Sequence, residues 1–114
     1  MRYAVLLYVD STLAAGPGAA EWDASLPDHR EFNARPNVSH GLALHDQASA
    51  TSLRIRDGER LITDGPFAET KEQLWGLYVV DAPDLDHVLD DAASLWEAEH
   101  GTIEIRPLIR PLQE

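Results

Sequence analysis

Two segments that are apolar at almost every position constrain the fold of this chain most strongly. Residues 3–9 read YAVLLYV, and residues 75–81 read WGLYVVD. Successive side chains of a strand point to opposite faces of its sheet, so a strand that is apolar on both faces is typical of a sheet centre. Both segments are therefore predicted to be central strands of one sheet.

Two further segments have the spacing of helices. Residues 19–34 place apolar side chains three and four positions apart, and Pro27 is predicted either to start this helix near Ser25 or to kink it. The second helix is predicted from a stripe of apolar residues that follows Asp84, a candidate N-cap. This helix is predicted to end before Gly101.

The remaining strands complete the order of elements. Strands are predicted at residues 38–45 and 102–106, and Asp57-Gly58 is the turn of a hairpin built from residues 51–56 and 59–63. The order of helices and strands along the whole chain predicts one α+β domain of the ferredoxin-like βαββαβ type, with a β-hairpin insertion.

One layer of helices can cover only one face of such a sheet. The other face would carry half of the apolar side chains of the two central strands, which is more apolar surface than a soluble monomer usually exposes. We therefore expect a homodimer whose two sheets pack face to face as a dimeric α/β barrel.

Composition excludes several classes of function. The chain has 9 Lys and Arg against 20 Asp and Glu, a net charge of -11, which disfavours binding to nucleic acid or to anionic lipid. Without cysteine, neither disulfides nor thiolate chemistry are possible. The longest apolar run is too short to span a bilayer and has no signal-peptide cleavage site, so a cytoplasmic protein is expected.

Residues 64–74, DGPFAETKEQL, form the most distinctive local run. The Gly-Pro step fixes a turn that the side chain of Asp64 can lock, and Thr70 and Gln73 have the spacing of a capping box. Rigid loops of this kind often carry binding and catalytic groups, although a solvated connection is the simpler alternative. The candidate functional side chains of this loop are Asp64, Phe67, Lys71 and Glu72.

Three segments resemble the DGPF-motif branch of the YCII-related family. They are DGPFAETKE at residues 64–72, GLYVVD at residues 76–81 and HGTIEIRP at residues 100–107. The resemblance implies a ferredoxin-like α+β dimer and a small bacterial protein of poorly defined reaction. Some members accompany sigma factors of the extracytoplasmic-function type.

The resemblance also implies a candidate acid–base pair. In the broader family a His on the first helix and an Asp near the second helix form a suspected pair, and one relative is linked to dechlorination of an aromatic compound. His29 resembles that His, whereas residues 95–100, LWEAEH, lack the Asp-Pro of the wider family.

Candidate site residues follow from these patterns. His29 is predicted to be a general acid or base, because histidine titrates near neutral pH, and Asp64 is predicted to orient it or to bind substrate. A hydrogen-bonded packing role is the alternative for His29. Substrate binding is predicted for five further residues: Phe67, Lys71, Glu72, His100 and Arg106.

No metal site or cofactor is expected. His40 and His45 are five positions apart, so on one strand they would face opposite sides. No dinucleotide fingerprint or phosphate-binding glycine loop occurs in the sequence.

Two functions remain open. The first is a small cofactor-free enzyme that acts on a small organic substrate through a His/carboxylate pair. The second is a non-catalytic dimeric ligand-binding or regulatory protein, which a sigma factor could partner. An anionic substrate would need a local cation, for which Arg30, Lys71 and Arg106 are the candidates.

Overall fold

The two apolar segments lie side by side in the middle of a four-stranded antiparallel sheet. The structure is a computed structural model that describes residues 1–12 and 18–109. Its elements are β1 (Arg2–Asp10), α1 (Ala20–Asn33), β2 (Val38–Ala43), β3 (Thr51–Arg56), β4 (Glu59–Asp64), β5 (Glu72–Asp81), α2 (Leu85–Ala92), α3 (Glu97–His100) and β6 (Thr102–Pro107).

The order of strands in the main sheet is β2-β5-β1-β6. β1 and β5 contain the segments that are apolar on both faces, so the prediction that they are central is confirmed. This mixed α+β arrangement of antiparallel strands and helices is consistent with the ferredoxin-like fold.

The core lies between the helices and one face of the sheet. Alternate side chains of β1, from Tyr3 to Val9, are buried there against Phe32 of α1 and Val88 of α2. The opposite, helix-free face carries partly buried apolar side chains, including Leu6 and its register partner Leu77.

The predicted hairpin forms a separate two-stranded sheet from β3 and β4. Its turn residues Asp57 and Gly58 have φ values of 52° and 78°, as the Asp-Gly signal predicts. The side chains of Leu53, Ile55 and Ile62 are 55%, 59% and 59% exposed.

Three local predictions were wrong or held only in part. α1 begins at Ala20 and not near Ser25, so that alternative for Pro27 is wrong, while the kink stays a prediction; the exposed position of Pro27 lets water reach the carbonyl that proline leaves unpaired. The second helix does not run to residue 100, because α2 ends at Ala92 and the chain turns before α3. The Nε2 of Gln73 donates to Thr70 Oγ1 at 2.9 Å, yet no helix follows, since Gln73 lies in β5.

Within the described residues, no helix is long and apolar enough to cross a membrane. The cytoplasmic location stays a prediction.

Candidate functional site

The side chain of His29 is hydrogen-bonded at both ring nitrogens. It projects from α1 with 19% of its side chain exposed. Its Nε2 lies 2.6 Å from Glu97 Oε2, and its Nδ1 lies 2.6 Å from the hydroxyl oxygen of Tyr78. A carboxylate, an imidazole and a phenol therefore form one continuous hydrogen-bonded chain.

Glu97 is the buried end of this chain. It is fully buried, and Trp75 Nε1–H donates to the same Oε2 atom at 2.8 Å. An indole N–H can only donate, so Glu97 Oε2 must be an acceptor, and the Nε2–H of His29 is its second donor. With Nε2 protonated, Nδ1 of the neutral imidazole is free to accept the hydroxyl proton of Tyr78.

The turn between α2 and α3 explains how Glu97 comes to face inward. The stripe of Val88, Ala92 and Leu95, continued as one helix, would place residue 99 inside. Instead the helix is interrupted at residues 93–96, which rotates α3 so that Glu97 is buried and Glu99 is exposed. Sequence analysis therefore missed Glu97, which lies in the segment LWEAEH that lacks the Asp-Pro of the wider family.

Trp96 packs this turn against the sheet. Its ring stacks on Trp75 with centroids 5.8 Å apart, and on its other neighbour, His100, with centroids 4.3 Å apart. The contact holds the start of α3 beside β5, so that Glu97 can accept the indole N–H of Trp75.

Tyr78 stands on β5 beside His29, and their rings stack with centroids 5.7 Å apart. Burial, with the nearby charge of Glu97 as a second cause, raises the pKa of Tyr78 to about 12. The phenol therefore stays protonated and acts as a donor near neutral pH. Gly41 of the neighbouring strand leaves the space for this ring, since a Cβ there would lie 2.7 Å from Tyr78 Cε1.

A cavity of about 230 Å³ opens between α1, β2 and β5, and both His29 and Tyr78 line it. Its walls are largely apolar and include a few polar side chains, which is the usual character of a small-molecule site. The other lining residues are Leu7, Trp22, Ser25, Leu26, Arg30, Asn33, Gly41, Leu42, Ala43, Trp75 and Gly76.

Asp64, the carboxylate that was predicted to pair with His29, does not lie beside it in the structure. Asp64 is exposed at the end of β4, in register with Thr51, and it does not line the cavity. The carboxylate that His29 contacts is Glu97, so the sequence identified the imidazole of the pair but not its acid.

The five predicted substrate-binding residues also lie outside the cavity lining. Phe67 is 79% exposed and borders a shallow depression on the hairpin. Lys71 is exposed, and Glu72 is partly buried at the start of β5. His100 stacks on Trp96, and Arg106 Nε lies 2.6 Å from Glu104 Oε2 on β6.

Among residues 1–12 and 18–109, no group of three or more His, Asp or Glu side chains comes together as a metal site.

Comparison with known proteins identifies the family. The family model for the YCII-related domain matches residues 1–111. An uncharacterized protein from Rhizobium meliloti (strain 1021) is 37% identical over 95% of this chain and 92% of its own length. By both comparisons, the chain belongs to the YCII-related family.

Proposed function

We propose that this protein is a small cofactor-free enzyme that moves a proton on a small organic substrate, with His29 as general acid or base. The observation that carries the proposal is the position of the His29 ring, between buried Glu97 and Tyr78, at the wall of the cavity. The DGPF run at residues 64–67 supports assignment to the DGPF-motif branch of the family.

The hydrogen bonds assign a role to each group. Nδ1 of His29 is hydrogen-bonded to the Tyr78 hydroxyl, so a substrate proton would reach it by relay: the Tyr78 oxygen accepts that proton while its own hydroxyl proton passes to Nδ1. The ring then becomes an imidazolium, which Glu97 stabilises because it accepts the Nε2–H bond. Glu97 also fixes the orientation and tautomer of the ring.

A substrate panel with matched variants tests the proposal. We would follow exchange of carbon-bound hydrogen with deuterated water by NMR for small carbonyl and hydroxy compounds. Replacing a general acid or base typically costs about 10²–10⁴-fold in rate, so His29→Gln should lower turnover by that factor. His87→Gln, at an exposed histidine of α2, is the control. Undiminished turnover in a folded His29→Gln variant would contradict the proposal.

A non-catalytic ligand-binding or regulatory protein is the second candidate, and a sigma factor is one partner that the family resemblance supports. It is favoured by the fact that both ring nitrogens of His29 are already hydrogen-bonded, as in a packing residue. Ligand binding in the cavity without turnover of any compound in the panel would favour this alternative.

We further propose that the protein is a homodimer whose helix-free sheet faces pack together. Leu6 and Leu77 face this side, and the hairpin adds an exposed apolar face around Leu53, Ile55 and Ile62. An isolated two-stranded hairpin is only marginally stable in water, which supports its being covered. Sedimentation equilibrium should give twice the protomer mass, and Leu77→Arg should reduce it to one protomer. A single-protomer mass for the wild type at micromolar concentration would contradict the dimer.

A further inference from the structure

The charge of the cavity wall differs sharply from the charge of the chain. Acidic residues number 20 of 114, yet none of the thirteen residues that line the cavity is Asp or Glu. The formally charged side chain among those thirteen is Arg30, on α1 directly after His29. In a chain of net charge -11, this wall is locally cationic.

Arg30 is also free of the ion pairs that engage some other arginines of the chain, as far as the described residues show. Arg35, one turn along, lies 2.8 Å from Glu31, and Arg106 lies 2.6 Å from Glu104. Within the described part of the chain, Arg30 forms no ion pair. Three side chains were predicted as cationic partners for an anionic substrate. Of these, Arg30 borders the cavity, whereas Lys71 and Arg106 do not.

Glu97 does not itself line the cavity. It is fully buried behind His29, and its Oε2 accepts hydrogen bonds from both His29 and Trp75. An anion in the cavity would therefore meet no carboxylate of the lining, whereas the exposed residue Arg30 is part of that lining.

The rest of the wall suits an apolar molecular body. Trp22 and Trp75 meet edge to face with centroids 5.8 Å apart, and Leu7 and Leu26 lie beside them. The volume of about 230 Å³ is below the range of roughly 300–1,000 Å³ that holds drug-sized ligands, so the ligand is small.

We infer that the cavity binds a small monoanion with an apolar body, and that Arg30 is the residue that selects for the negative charge. The guanidinium would hold a carboxylate or similar oxyanion at the mouth, where its fork of N–H donors matches the two oxygens. The apolar body would then lie against Trp22 and Trp75, with its far end near Tyr78 and His29. This inference rests on the proposed function only in taking the same cavity as the substrate site.

Intrinsic fluorescence can report occupancy directly. Two of the three tryptophans, Trp22 and Trp75, line the cavity, and Trp96 stacks on Trp75. The probes are cyclohexanecarboxylate and cyclohexanecarboxamide, which match in shape, differ in charge and absorb little at the excitation wavelength. Hexanoate and hexanamide provide a second, linear pair.

The carboxylate of at least one pair should bind about ten-fold more tightly than its amide, because hydrogen bonds to a charged group are stronger than those to a neutral one. Arg30→Gln should bring that ratio close to one without weakening the amide. Arg30→Lys should retain part of the preference. Arg56→Gln removes the same charge from the exposed hairpin tip and should leave the ratio unchanged.

Three results would overturn the inference. They are an amide that binds as tightly as its carboxylate in both pairs, an unchanged ratio in Arg30→Gln, and no fluorescence response to either carboxylate up to about 10 mM, beyond which even weak specific binding is not expected. His29→Gln should keep the preference for the carboxylate. Failure of acid–base catalysis, which turnover measures, is therefore distinguishable from failure of anion selection.

Discussion

Replacing Glu97 by alanine tests the buried end of the hydrogen-bonded chain. The substitution removes the acceptor of two hydrogen bonds, at 2.8 Å from Trp75 Nε1 and 2.6 Å from His29 Nε2. Trp75 loses more than His29, because its N–H is buried and the acceptor given for it among the described residues is Glu97, whereas partly exposed His29 can still reach water.

The expected loss of stability can be worked from these contacts. Leaving the buried indole N–H unpaired costs about 1–3 kcal/mol. Loss of the one buried methylene group by which Glu97 exceeds alanine, apart from its carboxyl group, adds about 0.8 kcal/mol. Relief from burying a carboxylate offsets part of this, so the free energy of unfolding should fall by about 2 kcal/mol. For a domain of this length the midpoint of thermal unfolding should fall by roughly 6–12 °C.

Urea denaturation followed by far-UV circular dichroism measures this loss at a fixed protein concentration, which keeps any dimerisation constant. Glu99→Ala is the matched control, since it removes an exposed carboxylate from the same short helix and should change stability by no more than about 0.5 kcal/mol. In the double variant with Trp75→Phe, removing both partners should cost less than the sum of the single losses. Equal stability of the Glu97→Ala and Glu99→Ala variants would refute the assignment of Glu97 as a buried acceptor.

Three further predictions concern the surroundings of the site and the start of α2. Because burial raises the pKa of Tyr78 to about 12 while an unfolded tyrosine ionises near its ordinary value of about 10, the wild type should lose stability between those pH values. The Tyr78→Phe variant should lack that part of the loss, and parallel pH profiles would contradict the assignment. The hydrogen bond that His87 donates to Asp84 raises the pKa of His87, so its stabilising effect is present below the ordinary histidine pKa and is lost as the pH rises through the raised one. In an NMR titration the His87 midpoint should fall in Asp84→Asn, and an unchanged midpoint would exclude this contact. Gly41→Ala should destabilise the protein by about 1–3 kcal/mol in urea, because the added methyl group meets Asn33 Oδ1 and the ring of Tyr78, and a change under about 0.5 kcal/mol would show that the space is not tight.

Local signals accounted for most of the fold. The alternation of buried side chains in β1, the left-handed turn at Asp57-Gly58 and the N-cap at Asp84 each depend on a few adjacent residues. The Asp84 side chain accepts the His87 N–H at 3.0 Å, as the sequence predicts. Pro27 did not mark the start of α1, because a helix tolerates a proline on its exposed side, where water reaches the unpaired carbonyl.

The candidate site was less accessible to the same reasoning. His29 could be singled out by the family resemblance and by its place on the apolar side of α1, and it lines the cavity in the structure. Glu97 could not be singled out, because the interruption of the helix at residues 93–96 leaves no mark in an apolar stripe that continues through Leu95. The DGPF run drew attention to Asp64, which lies on the separate hairpin sheet.

The sequence by itself determined the α+β class, the two central strands and the hairpin, since periodicity and turn chemistry act over a few neighbouring residues, while the family resemblance indicated the histidine. Tertiary structure alone decided that Glu97 and Tyr78 meet that histidine and that Arg30 borders the cavity. His29 and Glu97 are separated by 68 positions in the chain, and His29 and Tyr78 by 49. Contacts over such distances depend on how α1 and α3 pack against β5, and no local pattern specifies that packing.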